Sequence, residues 1–150
     1  MKKTDPAKMI VAALVLITAI AAVFHLTTRT AVPENVLRIE HGGQAAELSL
    51  ERLTLTPVRG TVVNGKGEER TVNAQGILLS EVLRGAGVTE FSEVTVTADD
   101  EYSARVTAEE IAAPDRVYLI RQEKGGMQLI VFGDMNSKRN VSDVKWLSVR

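Results

Sequence analysis

The side chains that could do chemistry here are few, and most of them stand in one polar stretch. Gly133-Asp134-Met135-Asn136-Ser137-Lys138-Arg139-Asn140 is the longest polar run in the second half of the chain. Polar loops carried on a rigid scaffold often hold function. Lys138 and Arg139 suit an anionic ligand or a phosphate, the first as a point charge and the second as a planar fork of donors. Asp134 and Asn136 lie beside them, and these four are the candidate ligand-binding residues. A solvated connection is the plainer reading of the same stretch. Asp134-x-Asn136-x-Lys138 begins like a calcium loop, but Lys138 at the fifth position and Arg139 in the glycine position break the pattern. Asp99-Asp100-Glu101 could meet a hard cation or could simply form an acid-rich turn. His41 precedes Gly42-Gly43, and with no partner legible in the sequence it reads as a turn residue rather than a base or ligand.

Other chemistries are excluded by composition. The chain has 150 residues and no cysteine, so it has no disulfide framework, thiolate zinc site, iron–sulfur cluster or cysteine nucleophile. Gly42-Gly43 and Gly125-Gly126 lack the frames of phosphate-binding loops and read as hairpin turns. Ser80 has no nucleophile-elbow frame. Trp146 reads as a packing residue. A net charge of −1 gives no reason to expect a nucleic-acid partner.

The apolar residues are unevenly spread. Residues 9–26 are almost wholly apolar and carry no charge. As a helix, such a run rises about 24–27 Å, close to the roughly 30 Å hydrocarbon core of a bilayer. Lys2, Lys3 and Lys8 precede it, against Asp5 alone, and Arg29 is the first charge after it. This bias predicts a cytoplasmic N-terminus and an outer C-terminal part. The run is long for a cleaved signal core, and its only Ala-x-Ala, Ala19 to Ala21, lies inside it. The expected organisation is a cytoplasmic basic tail over 1–8, a transmembrane signal-anchor helix over 9–26, a linker over 27–35 and a domain over 36–150. If the anchor is cleaved instead, the domain is secreted.

The elements that must position the candidate residues follow from alternation and turn chemistry. Val36 to Glu40 and Ala46 to Leu50 read as strands joined by the His41-Gly42-Gly43-Gln44 turn. Ser49 is placed to cap a short helical turn ended by Pro57. Residues 60–63 and 69–72 flank Asn64-Gly65, a hairpin signal. Ile77, Leu78, Leu79, Val82 and Leu83 give helical spacing, predicting a helix over 76–88 with its stop at Gly85-Ala86-Gly87. Residues 93–97, 102–106, 117–122, 127–132 and 144–149 read as strands, and Thr107-Ala108-Glu109-Glu110 as a capping box. The sum is roughly eight or nine strands with two or three short helices, a β-dominated α+β domain.

Three stretches resemble a family. Gly76, Leu79, Glu81, Val82, Leu83, Ala86 and Gly87 match its G-[VI]-x-L-x-[DE]-[VL]-L-x-x-A-G segment. Asp100 and Tyr102 match a following D-G-y turn, with Glu101 where glycine is usual. Gly133, Asp134, Val141, Asp143, Val144, Lys145, Leu147 and Val149 match the closing segment. In order and spacing these resemble the oxidoreductase molybdopterin-binding domain family, in its small stand-alone form. The resemblance implies a sulfite-oxidase-like fold and makes molybdopterin the one cofactor to consider. Catalytic members hold molybdenum through a cysteine thiolate, which suits that metal. This chain has none, so the expectation is a non-catalytic relative with no bound cofactor. The expected function is that of a membrane-anchored extracytoplasmic binding or interaction module, whose partner is an unknown protein or a small anionic ligand. The alternative is an oxidoreductase accessory subunit that still binds a pterin-like or other anionic ligand.

Overall fold

Two left-handed glycines start the fold. Gly42 and Gly43 have φ of 58° and 78°, the values a two-residue type I′ turn requires. They join β1 (Val36–His41) to β2 (Gln44–Ser49) in an antiparallel hairpin. The computed structural model describes residues 32–150. The apolar run over 9–26 lies outside the described residues. Among the described residues, no helix is long and apolar enough to cross a membrane.

A 3-10 turn follows at Leu50–Arg52, without a capping bond from the Ser49 side chain. Pro57 falls inside β3 (Thr56–Val63), which pairs with β4 (Glu69–Leu78). Asn64 organises their connection: its Oδ1 accepts from the amides of Lys66 and Glu68, both at 2.9 Å. The predicted helix over 76–88 is shorter in the structure. β4 runs through Leu78, because Gly76, Ile77 and Leu78 pair with Ile120, Leu119 and Tyr118. The helix proper, α1, is Leu79–Gly85. It stops as its sequence indicates: Gly87 N–H donates to the Arg84 carbonyl at 3.0 Å and Val88 N–H to that of Leu83 at 2.9 Å.

β5 (Glu93–Ala98) and β6 (Ser103–Thr107) form the next hairpin. The single-turn helix α2 (Ala108–Ala112) carries the expected capping box between Thr107 and Glu110. β7 (Val117–Arg121), β8 (Met127–Val131) and β9 (Val144–Val149) complete the chain. The architecture is α+β and β-dominated, in two sheets ordered β2-β1-β9-β5-β6 and β3-β4-β7-β8. All pairings are antiparallel except β1 with β9.

Alternation sorts each strand's side chains between faces. Leu37, Ile39, Val94, Val96 and Leu147 of the first sheet share one core with Leu119 and Leu129 of the second, and α1 adds Leu79, Val82 and Leu83. The opposite face of the second sheet has its own cluster of Val58, Val62, Val72, Ile120 and Ile130. Tyr118 and Phe132 border it, ring edge to ring face with centroids 5.8 Å apart. Among the described residues, no polar or charged residue is fully buried.

Candidate functional site

The capping box of α2 is where the polar stretch of the second half makes its tertiary contact. Glu110 N–H donates to Thr107 Oγ1 at 3.2 Å, and Thr107 N–H donates to Glu110 Oε2 at 3.1 Å. The same carboxylate receives Arg139, Nη1 to Oε2 at 2.9 Å and Nη2 to Oε1 at 2.8 Å. Arg139 Nε donates to Asp134 Oδ2 at 2.7 Å, Nη2 to Asp134 Oδ1, and Nη1 to the Arg105 carbonyl at 3.4 Å. A guanidinium has five N–H donors. All of those on Arg139 therefore end on oxygens of this chain. Arg116 Nη2 adds a further donor to Glu110 at 3.3 Å.

This arrangement sets the charges firmly. The Arg139 hydrogen bonds, with the Thr107 amide and the neighbouring positive charges, outweigh burial and hold the Glu110 carboxyl at about 2 instead of 4.5. Asp134 first and Glu110 second make Arg139 still harder to deprotonate. The folded value of Glu110 lies below the unfolded one, so its contribution to stability is complete above about pH 4.5 and is lost as pH falls toward 2. Allowing for nearby solvent, the expected loss is about 1–2 kcal/mol. Urea unfolding across this acid range checks it. Glu110→Gln is expected to flatten that part of the profile, and parallel profiles for the two proteins would refute the assignment.

The four candidate residues thus separate. Asp134 and Arg139 are joined to each other and to α2. Asn136 turns inward on its own loop, its Oδ1 accepting from the Lys138 amide at 3.0 Å. The exposed Lys138 side chain makes no hydrogen bond or ion pair among the described residues, while its carbonyl accepts from the Tyr102 hydroxyl. That last bond ties the β5–β6 turn to the loop. In that turn Asp100 Oδ1 accepts from Tyr102 N–H at 3.0 Å, and Glu101 has a positive φ of 73°. Asp99, Asp100 and Asp143 border a depression of about 370 Å³ with Tyr102, Asn140 and Ser142. Among the described residues, no group of His, Asp and Glu is placed to hold a metal ion.

His41 lies elsewhere, at the far end of β1. It borders a second depression, of about 400 Å³, with Arg38, Glu40, Gln44, Ser148 and Arg150 among its neighbours. Arg38 pairs with Glu40 at 3.3 Å. Tyr118 is pushed up to about 12, first by burial and then by its 2.7 Å hydrogen bond to Asp115, so it stays protonated at neutral pH.

Three residues matter more in the structure than in the sequence. Glu110 is legible as a helix cap, but its pairing with Arg139 depends on a contact across the fold. Met135 and Tyr102 are the large hydrophobic residues exposed among the described residues, at 85 % and 48 %. Both stand on the segments that Arg139 and Tyr102 join. The donor set has no thiolate and the Arg139 fork is fully occupied, so these residues do not fit a molybdenum centre. Compared with known families and curated proteins, the chain matches no family model and no curated protein.

Proposed function

We propose that residues 36–150 form a non-catalytic interaction module on a sulfite-oxidase-like scaffold, held outside the cytoplasm by a membrane anchor over residues 9–26. The observation that carries this reading is a pair of exposed apolar side chains: Met135 on a loop braced by ion pairs, and Tyr102 on the β5–β6 turn that bonds to that loop. An apolar anchor already held in place loses little freedom on binding, which is where protein interfaces concentrate their affinity. The β-dominated two-sheet architecture and the three family-like segments support the scaffold. The lysine-flanked apolar run supports the anchor.

The test uses the full chain in its native membrane, with a photo-crosslinking residue in place of Met135. A discrete protein adduct is expected there, reduced at least about fivefold by Tyr102→Ser, as loss of a central anchor predicts. An adduct unchanged by that substitution, or stoichiometric molybdenum in the purified protein, would overturn the reading.

The alternative, an accessory subunit that binds a pterin-like or other anionic ligand, has one observation in its favour. Arg38, His41 and Arg150 meet at the second depression. Native mass spectrometry separates the two readings: a retained small molecule supports the alternative, and a clean apo mass the module.

A further inference from the structure

A sheet must deal with its edges, because unpaired N–H and C=O groups there invite another strand. The two sheets have four edges, and the hydrogen bonds next to each hairpin show which main-chain groups face outward. In β3, Asn64 N–H donates to the Glu68 carbonyl at 2.8 Å, so the odd-numbered residues point away from β4. Pro57, which has no N–H, and Arg59 occupy two of those positions and blunt the edge. In β8, Phe132 N–H donates to the Arg116 carbonyl at 2.8 Å, which turns Leu129 outward, and Leu129 N–H then meets the Val141 carbonyl at 2.8 Å. In β6, Ala98 N–H donates to the Tyr102 carbonyl at 2.8 Å, which turns Arg105 and Thr107 outward. Arg139 takes the Arg105 carbonyl and Glu110 takes the Thr107 amide. The ion-pair cluster is therefore also the seal on that edge.

β2 has no such device. Leu50 N–H donates to the Asn35 carbonyl at 2.8 Å, extending the register Val36↔Ser49 by one pair. The hydrogen-bonded pairs then fall at Leu37↔Leu48, Ile39↔Ala46 and His41↔Gln44. Ala45, Glu47 and Ser49 are left with their main-chain groups pointing away from β1. Among the described residues these groups have no hydrogen-bond partner, and the strand contains neither proline nor a basic residue. Ala45 and Ala46 are small and exposed, so nothing bulky screens the edge.

We infer that the open edge of β2 receives an extended strand of a partner protein, with a basic residue opposite Glu47. The charge follows from the pairing around it. Arg38, across from Glu47 on β1, is engaged by Glu40, and Glu47 has no ion-pair partner among the described residues. A second copy would bring its own Glu47 to the same edge, which disfavours self-pairing. Main-chain bonds along Ala45 to Ser49 supply the affinity and Glu47 supplies the choice, as in strand-addition recognition. This rests on the reading of the domain as an interaction module and names the chemistry of a partner segment.

The test titrates isotope-labelled full-length protein in detergent micelles with acetyl-Thr-Val-Lys-Val-Thr-Val-Lys-Thr-amide, and with a counterpart carrying Glu in place of Lys. The basic peptide is expected to shift the amides of Ala45, Glu47 and Ser49 and to slow their exchange about tenfold. The acidic peptide leaves them unchanged. Glu47→Lys reverses the preference. Ala45→Pro keeps the dispersed spectrum, because that N–H is outside the β1 ladder, and abolishes the response. Silence at β2 toward both peptides would overturn the proposal. So would concentration-dependent broadening at β2 without peptide, which would make a second copy the occupant. A crosslink at Met135 together with a silent β2 rejects only this proposal. A responding β2 with no adduct at Met135 rejects only the role given to the braced loop.

Discussion

Replacing Arg139 with Met is expected to destabilise the domain by about 2–4 kcal/mol at neutral pH. Methionine keeps most of the apolar stem, so the change measures charge and hydrogen bonding rather than packing. Without the guanidinium, the side chains of Asp134 and Glu110, only 12 % and 19 % exposed, face one another, and Arg116 at 3.3 Å is the cation left beside them. Carboxylates that have lost their partner are costly to keep from water. The deficit should shrink below about pH 4, because the depressed Glu110 carboxyl gives the wild type an acid-sensitive increment that the variant lacks. Denaturant midpoints at neutral and acid pH measure both effects. A loss under about 0.5 kcal/mol at neutral pH would show that the network is ordinary surface pairing. The Arg105 carbonyl also loses its donor in the variant, whereas Glu110 keeps the Thr107 amide.

The largest effect is expected in the second sheet. Leu119 and Ile120 are neighbours on β7 that point to opposite faces, at 0 % and 5 % exposure. Leu119→Ala opens a hole in the main core and should cost about 3–5 kcal/mol. Ile120→Ala removes the same number of carbons from the smaller cluster and should cost about 2–3 kcal/mol, because Tyr118 and Phe132 at its margin can close part of the space. Chemical denaturation of both variants decides whether the sheet is covered on both sides. A cost under about 1 kcal/mol for Ile120→Ala would mean that its outer face is effectively wet.

Much of this fold was legible because the signals were local. The alternation of residues 144–149 placed β9 at its observed bounds, and Gly42-Gly43 placed the first turn. Thr107 and Glu110 placed the cap of α2. Where the sequence misled, a distant strand decided. The apolar spacing of Ile77 and Leu78 is helical, but both pair with β7. Gly76 belongs to that strand for a reason invisible in one dimension: a Cβ there would sit 2.9 Å from the Leu119 carbonyl oxygen. The candidate site was legible in position but not in its connections. The stretch 133–140 stands out in the sequence through Lys138 and Arg139, and in the structure its Asp134 and Arg139 pair with each other, and Arg139 with Glu110. That Arg139 would be engaged by Asp134 and Glu110 could not be read, because Glu110 lies 29 residues away in sequence and arrives with α2.

The parallel contact between β1 and β9 has a kinetic meaning. β9 is the middle strand of its sheet, lying between β1 and β5, and its register runs from Arg38↔Trp146 to His41↔Val149. A ribosome adding about 5–20 residues per second therefore leaves β1 without that neighbour for roughly 5–20 s after it emerges. During this interval the β1–β2 and β5–β6 hairpins each present an unmatched inner side, and the apolar residues that will face the core are still wet. Closure of this sheet must wait for the arrival of Val144 to Val149. Nascent chains halted before Trp146 should be substrates for chaperones and proteases, whereas those that have passed Val149 should collapse to the protected state.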